Sequence, residues 1–229
     1  MRALVILIGL GAVGACGGDE CEVDMTYDPP IDPAHFVTTI DNPLLPWTPG
    51  TTTVYEGNET VTVTVTSETK VILGVTAVVV RDVVTEDGEV IEDTFDWYAQ
   101  DDEGNVWYLG EDTKELDGGE VVSTEGSWEA GVDGAKAGIV MHAVQPPAGE
   151  PYRQEYYPCV AEDMAEVVEE NVAVTVTAGS YTGCLKTREF TPLESDVNEY
   201  KTFCPGVGLV LEEDVSGGGS NELVSITVP

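Results

Sequence analysis

Positive charge is what this chain has least of. Nine Lys and Arg stand against 43 Asp and Glu, a formal net charge of -34. A surface of that sign repels nucleic-acid phosphates and anionic headgroups, which excludes both as direct partners. It attracts cations, calcium among them, and basic proteins. It equally fits a chain adapted to high salt, where self-repulsion is screened within roughly 3 Å at 1 M. Histidine is nearly missing too. His35 and His142 lie far apart, so a Ser–His–Asp arrangement has no support, and there is no HExxH, P-loop or dinucleotide fingerprint. The run Gly179-Ser180-Tyr181-Thr182-Gly183 has the wrong spacing for a nucleophile elbow. The five cysteines include no CxxC pair, which argues against thiol-redox and zinc chemistry.

The start of the chain carries an address. Arg2 is the only charge before an apolar run, Ala3 to Val13, that is too short to span a bilayer. Small residues follow, the pattern of a secretory signal over residues 1–15. Val13-Gly14-Ala15-Cys16 also resembles a bacterial lipobox, in which Cys16 becomes the lipidated first residue. Such lipidation adds more than one acyl chain, enough for stable anchoring in a lipid membrane. By resemblance to Gram-negative lipoproteins, Gly17 rather than Asp at the next position favours the outer membrane. Residues 16–34, rich in Gly, Pro and acids without periodicity, read as a flexible tether.

Residues 35–229 read as a single β-rich domain, because Thr, Val, Gly and acids recur with no break in composition. Thr60 to Thr66 alternates Thr with Val, which sends the valines to a core. Val71 to Val84 reads as one long apolar strand interrupted by Gly74. Trp47, among three prolines, reads as a plug at one end of the sheet. One short helix is expected near 161–170, where Met164, Val167 and Val168 fall at i, i+3 and i+4. The expected architecture is mainly β, an antiparallel meander forming a half-barrel or a sandwich.

The stretch Glu92 to Asp112 concentrates aromatic and acidic residues and reads as a hairpin around Asp101-Asp102-Glu103-Gly104. Pairing Gln100 with Asn105 puts Tyr98 opposite Trp107. Phe95, Trp97, Ala99, Val106 and Tyr108 then face the core, while Asp96, Tyr98, Trp107 and Glu111 share the other face. The long irregular segment 125–150 holds Trp128 and Glu129, and loops of that length often line a site. The run 152–157 supplies Gln154, Glu155 and Tyr156 among aromatics.

Several segments are similar to a family of uncharacterised bacterial secreted proteins and lipoproteins. They are DTFDWYAQDDEGNVWYLGEDT, GSWEAGVDGAKAGIVM, YRQEYYPCVAEDMAEV and YKTFCPGVGLVLEE, and the resemblance covers nearly all of residues 31–214. It implies an exported protein and brings no activity with it. The family usually has Gly at position 159 and a small residue at 204. Cys at both positions here implies a Cys159–Cys204 disulfide, with Cys21 and Cys184 left open.

These readings converge on a non-catalytic, lipid-anchored envelope protein. Its candidate site for a cation or small polar ligand comprises Asp96, Tyr98, Glu111, Trp128, Glu129, Gln154, Glu155 and Tyr156. Calcium would suit the carboxylates, and no other cofactor is expected. Carriage of apolar cargo and a purely structural envelope role are the alternatives. Hydrolysis by a carboxylate pair such as Glu129 and Glu155 is a weaker one.

Overall fold

The computed structural model describes residues 23–215 and 218–229, without the side chains of 195 and 196. The signal segment and Cys16 lie outside the described residues. Among the described residues the helical content is one 3-10 turn, Pro33–His35, which precedes β1 (Phe36–Val37). The first half of the sheet is β2 (Thr52–Glu56), β3 (Thr60–Ile72), β4 (Val75–Glu86), β5 (Glu89–Asp101) and β6 (Val106–Asp112). Short strands β7 (Glu115–Asp117), β8 (Glu120–Ser123) and β9 (Trp128–Glu129) lead to β10 (Lys136–Met141), β11 (Tyr152–Arg153) and β12 (Glu155–Tyr156). The second half is β13 (Met164–Val176), β14 (Gly179–Thr191), β15 (Glu194–Cys204), β16 (Gly208–Asp214) and β17 (Ser220–Thr227).

All pairings are antiparallel. β2 through β6 pair in sequence order and β10 joins β6; β13 through β17 do the same in the other half. The last strand returns to the first half, with Leu223 opposite Tyr55. The second join is slender. β12 meets β10 at Ala137↔Glu155, and β11 meets β13 at Tyr152↔Ala165. The result is one curled antiparallel sheet, not closed into a regular barrel. Its concave side buries Val61, Val63 and Val65 of β3 as the alternation requires, against Val80, Val84, Tyr55 and Leu223.

Four expectations are corrected. Residues 164–170 are strand, not helix: β13 pairs along its length with β14, as in Met164↔Phe190 and Glu166↔Arg188. The stretch that spaces Met164, Val167 and Val168 as a helical face also carries a period-two alternation through Ala165 and Val167. Ala165 and Val167 are buried, Val168 is exposed, and Glu166 meets Arg188 at 3.1 Å. The acids at 169 and 170 would also have opposed a helix dipole. The apolar run 71–84 is two strands, since Leu73 (φ 50°) and Gly74 (φ 83°) form the tight left-handed turn between β3 and β4.

The central hairpin is shifted by one residue. Gln100 lies opposite Val106, Tyr98 opposite Tyr108 and Asp96 opposite Glu111. Asp101 sets this register. Its Oδ1 accepts from the backbone N–H of Glu103 and Asn105, and its Oδ2 accepts from Trp107 Nε1 at 2.8 Å. A bulge at Gly110 (φ 131°) then brings Tyr108 and Glu111 to the same side. Asp96, Tyr98, Tyr108 and Glu111 therefore face inward. Phe95, Trp97 and Trp107 take the outer face, where Lys70 Nζ sits 3.1 Å from the centre of the Trp97 ring and Phe36 packs on Trp107. Finally, Cys204 is bonded to Cys184 across β14 and β15, not to Cys159. Position 184 is directly across the ladder, next to the Leu185↔Phe203 pair. Cys159 is disulfide-bonded as well.

Part of the expected tether is seated on the domain. The Tyr27 hydroxyl donates to the Ala137 carbonyl at 2.8 Å, and its ring stands edge-on to Tyr156. Arg153 lies over the Tyr156 ring and reaches Asp24, while Lys136 pairs with Asp28.

Candidate functional site

Three carboxyl groups from three elements meet inside the sheet. Asp96 comes from β5, Glu111 from β6 and Glu155 from β12, and none is more than 4% exposed. Tyr108 stands between the first two, its hydroxyl 2.7 Å from Asp96 Oδ1 and 3.1 Å from Glu111 Oε2. One hydroxyl carries one proton, so it can donate to only one of them. The other contact needs a proton on a carboxyl. Glu155 Oε2 accepts from Trp128 Nε1 at 2.8 Å. Glu111 Oε1 and Glu155 Oε1 have no hydrogen-bond partner among the described residues.

Stacked rings wall this cluster. Tyr98 lies on Tyr108 at 4.9 Å, Trp128 meets Tyr108 edge-on at 5.3 Å, and Trp47 packs on Tyr98 at 5.7 Å. Trp47, expected to plug one end of the sheet, is buried against this stack. Its loop is held by Gln100, whose Oε1 accepts from the backbone N–H of Asp41 and Asn42. A small apolar recess lies behind it, lined by Leu45, Trp47, Tyr55, Val63 and Leu209.

Burial sets the protonation of the cluster. It pushes Asp96 up to about 7, against the Tyr108 hydrogen bond that opposes the shift. Glu111 is raised well above the usual carboxylate range by burial, then by the charges of Glu155 and Asp96. Glu155 is raised by burial and by Asp163, with the Trp128 hydrogen bond opposing. Nearby, burial also lifts Glu92 to about 7.

A second buried group adjoins the first. Lys201 of β15 is 2% exposed and lies 2.9 Å from Glu189, 3.6 Å from Glu212 and 3.8 Å from Glu199. Burial alone would neutralise this amine, but the three carboxylates hold it charged. Asp163 is raised to about 7 by burial, with Lys201 opposing. Alternation along Tyr200-Lys201-Thr202-Phe203 was the signal for this group, because it puts Lys201 on the same face as the apolar Phe203. Tyr108, which the sequence reading assigned to packing, is the residue that joins the acids.

Of the expected site residues, the fold brings together Asp96, Tyr98, Glu111, Trp128 and Glu155. Gln154 is buried beside Glu155 in the chain, and its Nε2 has no partner among the described residues. Glu129 points away from Trp128, as strand neighbours do, and pairs with Lys70 at 2.7 Å. It is therefore not paired with Glu155. Tyr156 belongs to the contact with Tyr27 and Arg153. Among the described residues, no three His, Cys, Asp or Glu side chains are placed to hold a metal ion.

No protein-family model and no curated protein match the chain. Among solved structures, it is similar to a candidate lipoprotein from Parabacteroides distasonis ATCC 8503, at 13% identity and a TM-score of 0.44. The match covers 80% of this chain and 98% of that one. The likeness is a loose one of outline.

Proposed function

We propose that this is an exported, lipid-anchored envelope protein of the secreted family named above, which binds a small polar cation inside its curled sheet without transforming it. The observation that carries the reading is the pair of orphaned oxygens on Glu111 and Glu155. Buried polar atoms without partners are rare and cost roughly 1–3 kcal/mol each. An organic ammonium, a donor with no acceptor, would satisfy both. Access would pass Trp47, whose buried Nε1 also has no partner among the described residues. An ammonium group fits the cluster better than calcium, which needs six or more converging oxygens.

Calorimetric titration and thermal unfolding with putrescine and with calcium chloride, at moderate salt, test this. The expected result is a rise in Tm with the diamine that is lost in Glu111→Gln. Absence of heat and of stabilisation with both probes sinks the reading. The apolar recess behind Trp47 supports a second one, carriage of apolar cargo. Native mass spectrometry of protein purified without detergent would then show a co-purified lipid.

A further inference from the structure

Three separate segments bring exposed apolar side chains to one side of the molecule. The end of β3 presents Val71 and the β3–β4 turn presents Leu73, 66% and 48% exposed, and the loop after β9 presents Val132 at 49%. These segments touch: a Cβ placed on Gly131 would lie 2.4 Å from Leu73 Cδ2. On the other flank of the turn, Pro33 packs against Gly74. The loop then runs through Gly134 and Ala135 to Lys136, which holds Asp28. The seated N-terminal segment therefore lies on this same side, and it adds exposed Val23 and Met25.

We infer that this side rests on the lipid bilayer in which the chain is anchored. The inference depends on lipidation at Cys16, as proposed above. Cys16 lies seven positions before Val23, and an extended chain of that length reaches at most about 25 Å. Val23 is tied down by Asp24, whose backbone N–H donates to the Tyr156 hydroxyl. The anchor thus holds this side, and not the opposite one, near the acyl chains. The cations here are matched to acids, Lys70 to Glu129, Lys136 to Asp28 and Arg153 to Asp24. The patch consequently meets headgroups with apolar surface and with its Lys and Arg already matched, the acids Asp32 and Asp133 being exposed on the same segments, while most of the domain's acids turn to water. Half-exposed Val and Leu side chains are too few to bind a bilayer alone. A tether raises their effective concentration to roughly the millimolar range, where weak apolar insertion suffices.

Hydrogen exchange on the full lipidated chain in phosphatidylcholine–phosphatidylethanolamine vesicles tests this against the Cys16→Ser chain with the same vesicles. The expected result is about tenfold slower exchange in peptides covering 70–76 and 130–135. The β7–β8 hairpin, which also exposes Val121 and Val122, should not change. Leu73→Asp combined with Val132→Asp should abolish the slowing while the N-terminal peptide keeps its acyl mass. An acylated chain with unslowed exchange in both peptides overturns the docking inference and leaves the anchor standing. An N-terminal peptide without acyl mass overturns both. Slowing that tracks protein concentration rather than vesicles would assign the face to a second copy and end the lipid reading.

Discussion

Acid should stabilise this protein between pH 8 and pH 5, the reverse of the usual behaviour of carboxylates. Asp96 moves from its ordinary 3.8 to about 7 in the fold. The folded chain therefore holds a proton that the unfolded chain has released. Stability from such a group is fully present below the unfolded value and is lost as pH rises toward 7. The shift of about three units corresponds to about 4 kcal/mol for this one group. Glu92 and Asp163, also near 7, act in the same direction. Lys201 does not contribute to the slope. Its value is raised, so its share is present below the ordinary lysine range and is lost only above it. Urea unfolding from pH 5 to pH 8 in 1 M salt would measure this. High salt screens the repulsion among surface acids, which also eases on acidification, and leaves the buried term. Asp96→Asn keeps an oxygen for the Tyr108 hydroxyl and removes the titration. Its profile should be shallower by up to about 1.4 kcal/mol per pH unit, one proton's worth. A stability that stays level or rises from pH 5 to pH 8, or an unchanged slope in Asp96→Asn, refutes the reasoning.

Lys201→Met leaves Glu189, Glu199 and Glu212 facing one another without a cation, so it should cost about 3–5 kcal/mol at pH 8. Much of that loss should return at pH 5, where urea midpoints would show it. Gly110→Ala places a Cβ 2.3 Å from the Trp128 carbonyl oxygen at a φ of +131°. It should lower stability by roughly 3 kcal/mol or more and weaken the Tyr108–Trp128 contact, visible as altered near-UV circular dichroism. Non-reducing peptide mapping should link Cys184 to Cys204. Replacing both by Ala should cost about 3 kcal/mol in chemical unfolding, the entropy of a loop of about 20 residues. A Cys159–Cys204 peptide would contradict the strand pairing.

The β character of the chain was legible because Val61, Val63 and Val65 alternate with threonines, a pattern only a half-buried strand satisfies. The convergence of Asp96, Glu111, Trp128 and Glu155 was legible as a set of residue types, though not as contacts. What failed has specific causes. The hairpin register depended on the Asp101 side chain capturing two backbone N–H groups and the Trp107 indole, and on an extra residue at Gly110. Neither is encoded in hydrophobic alternation. Residues 164–170 satisfied two periods at once, and Arg188, across the ladder, decided between them. Lys201 is not legible in the sequence, because a lone lysine in a strand is usually solvated. Its burial follows from Glu189, Glu199 and Glu212 arriving on two neighbouring strands and its own.

Leu223, fully buried against Tyr55, has a consequence for how the chain assembles. A meander can zip each strand onto the one before it as residues emerge. β2 is different, since its second neighbour, β17, follows every other strand of the sheet in the chain. Until residues 220–227 arrive, β2 keeps a bare row of N–H and C=O groups, and the acid-lined interior stays open on that side. The step that joins them has the largest sequence separation in the sheet and so the slowest search. A chain cut short before Leu223 would carry two such edges, on β2 and β16, with which other unfinished chains can pair.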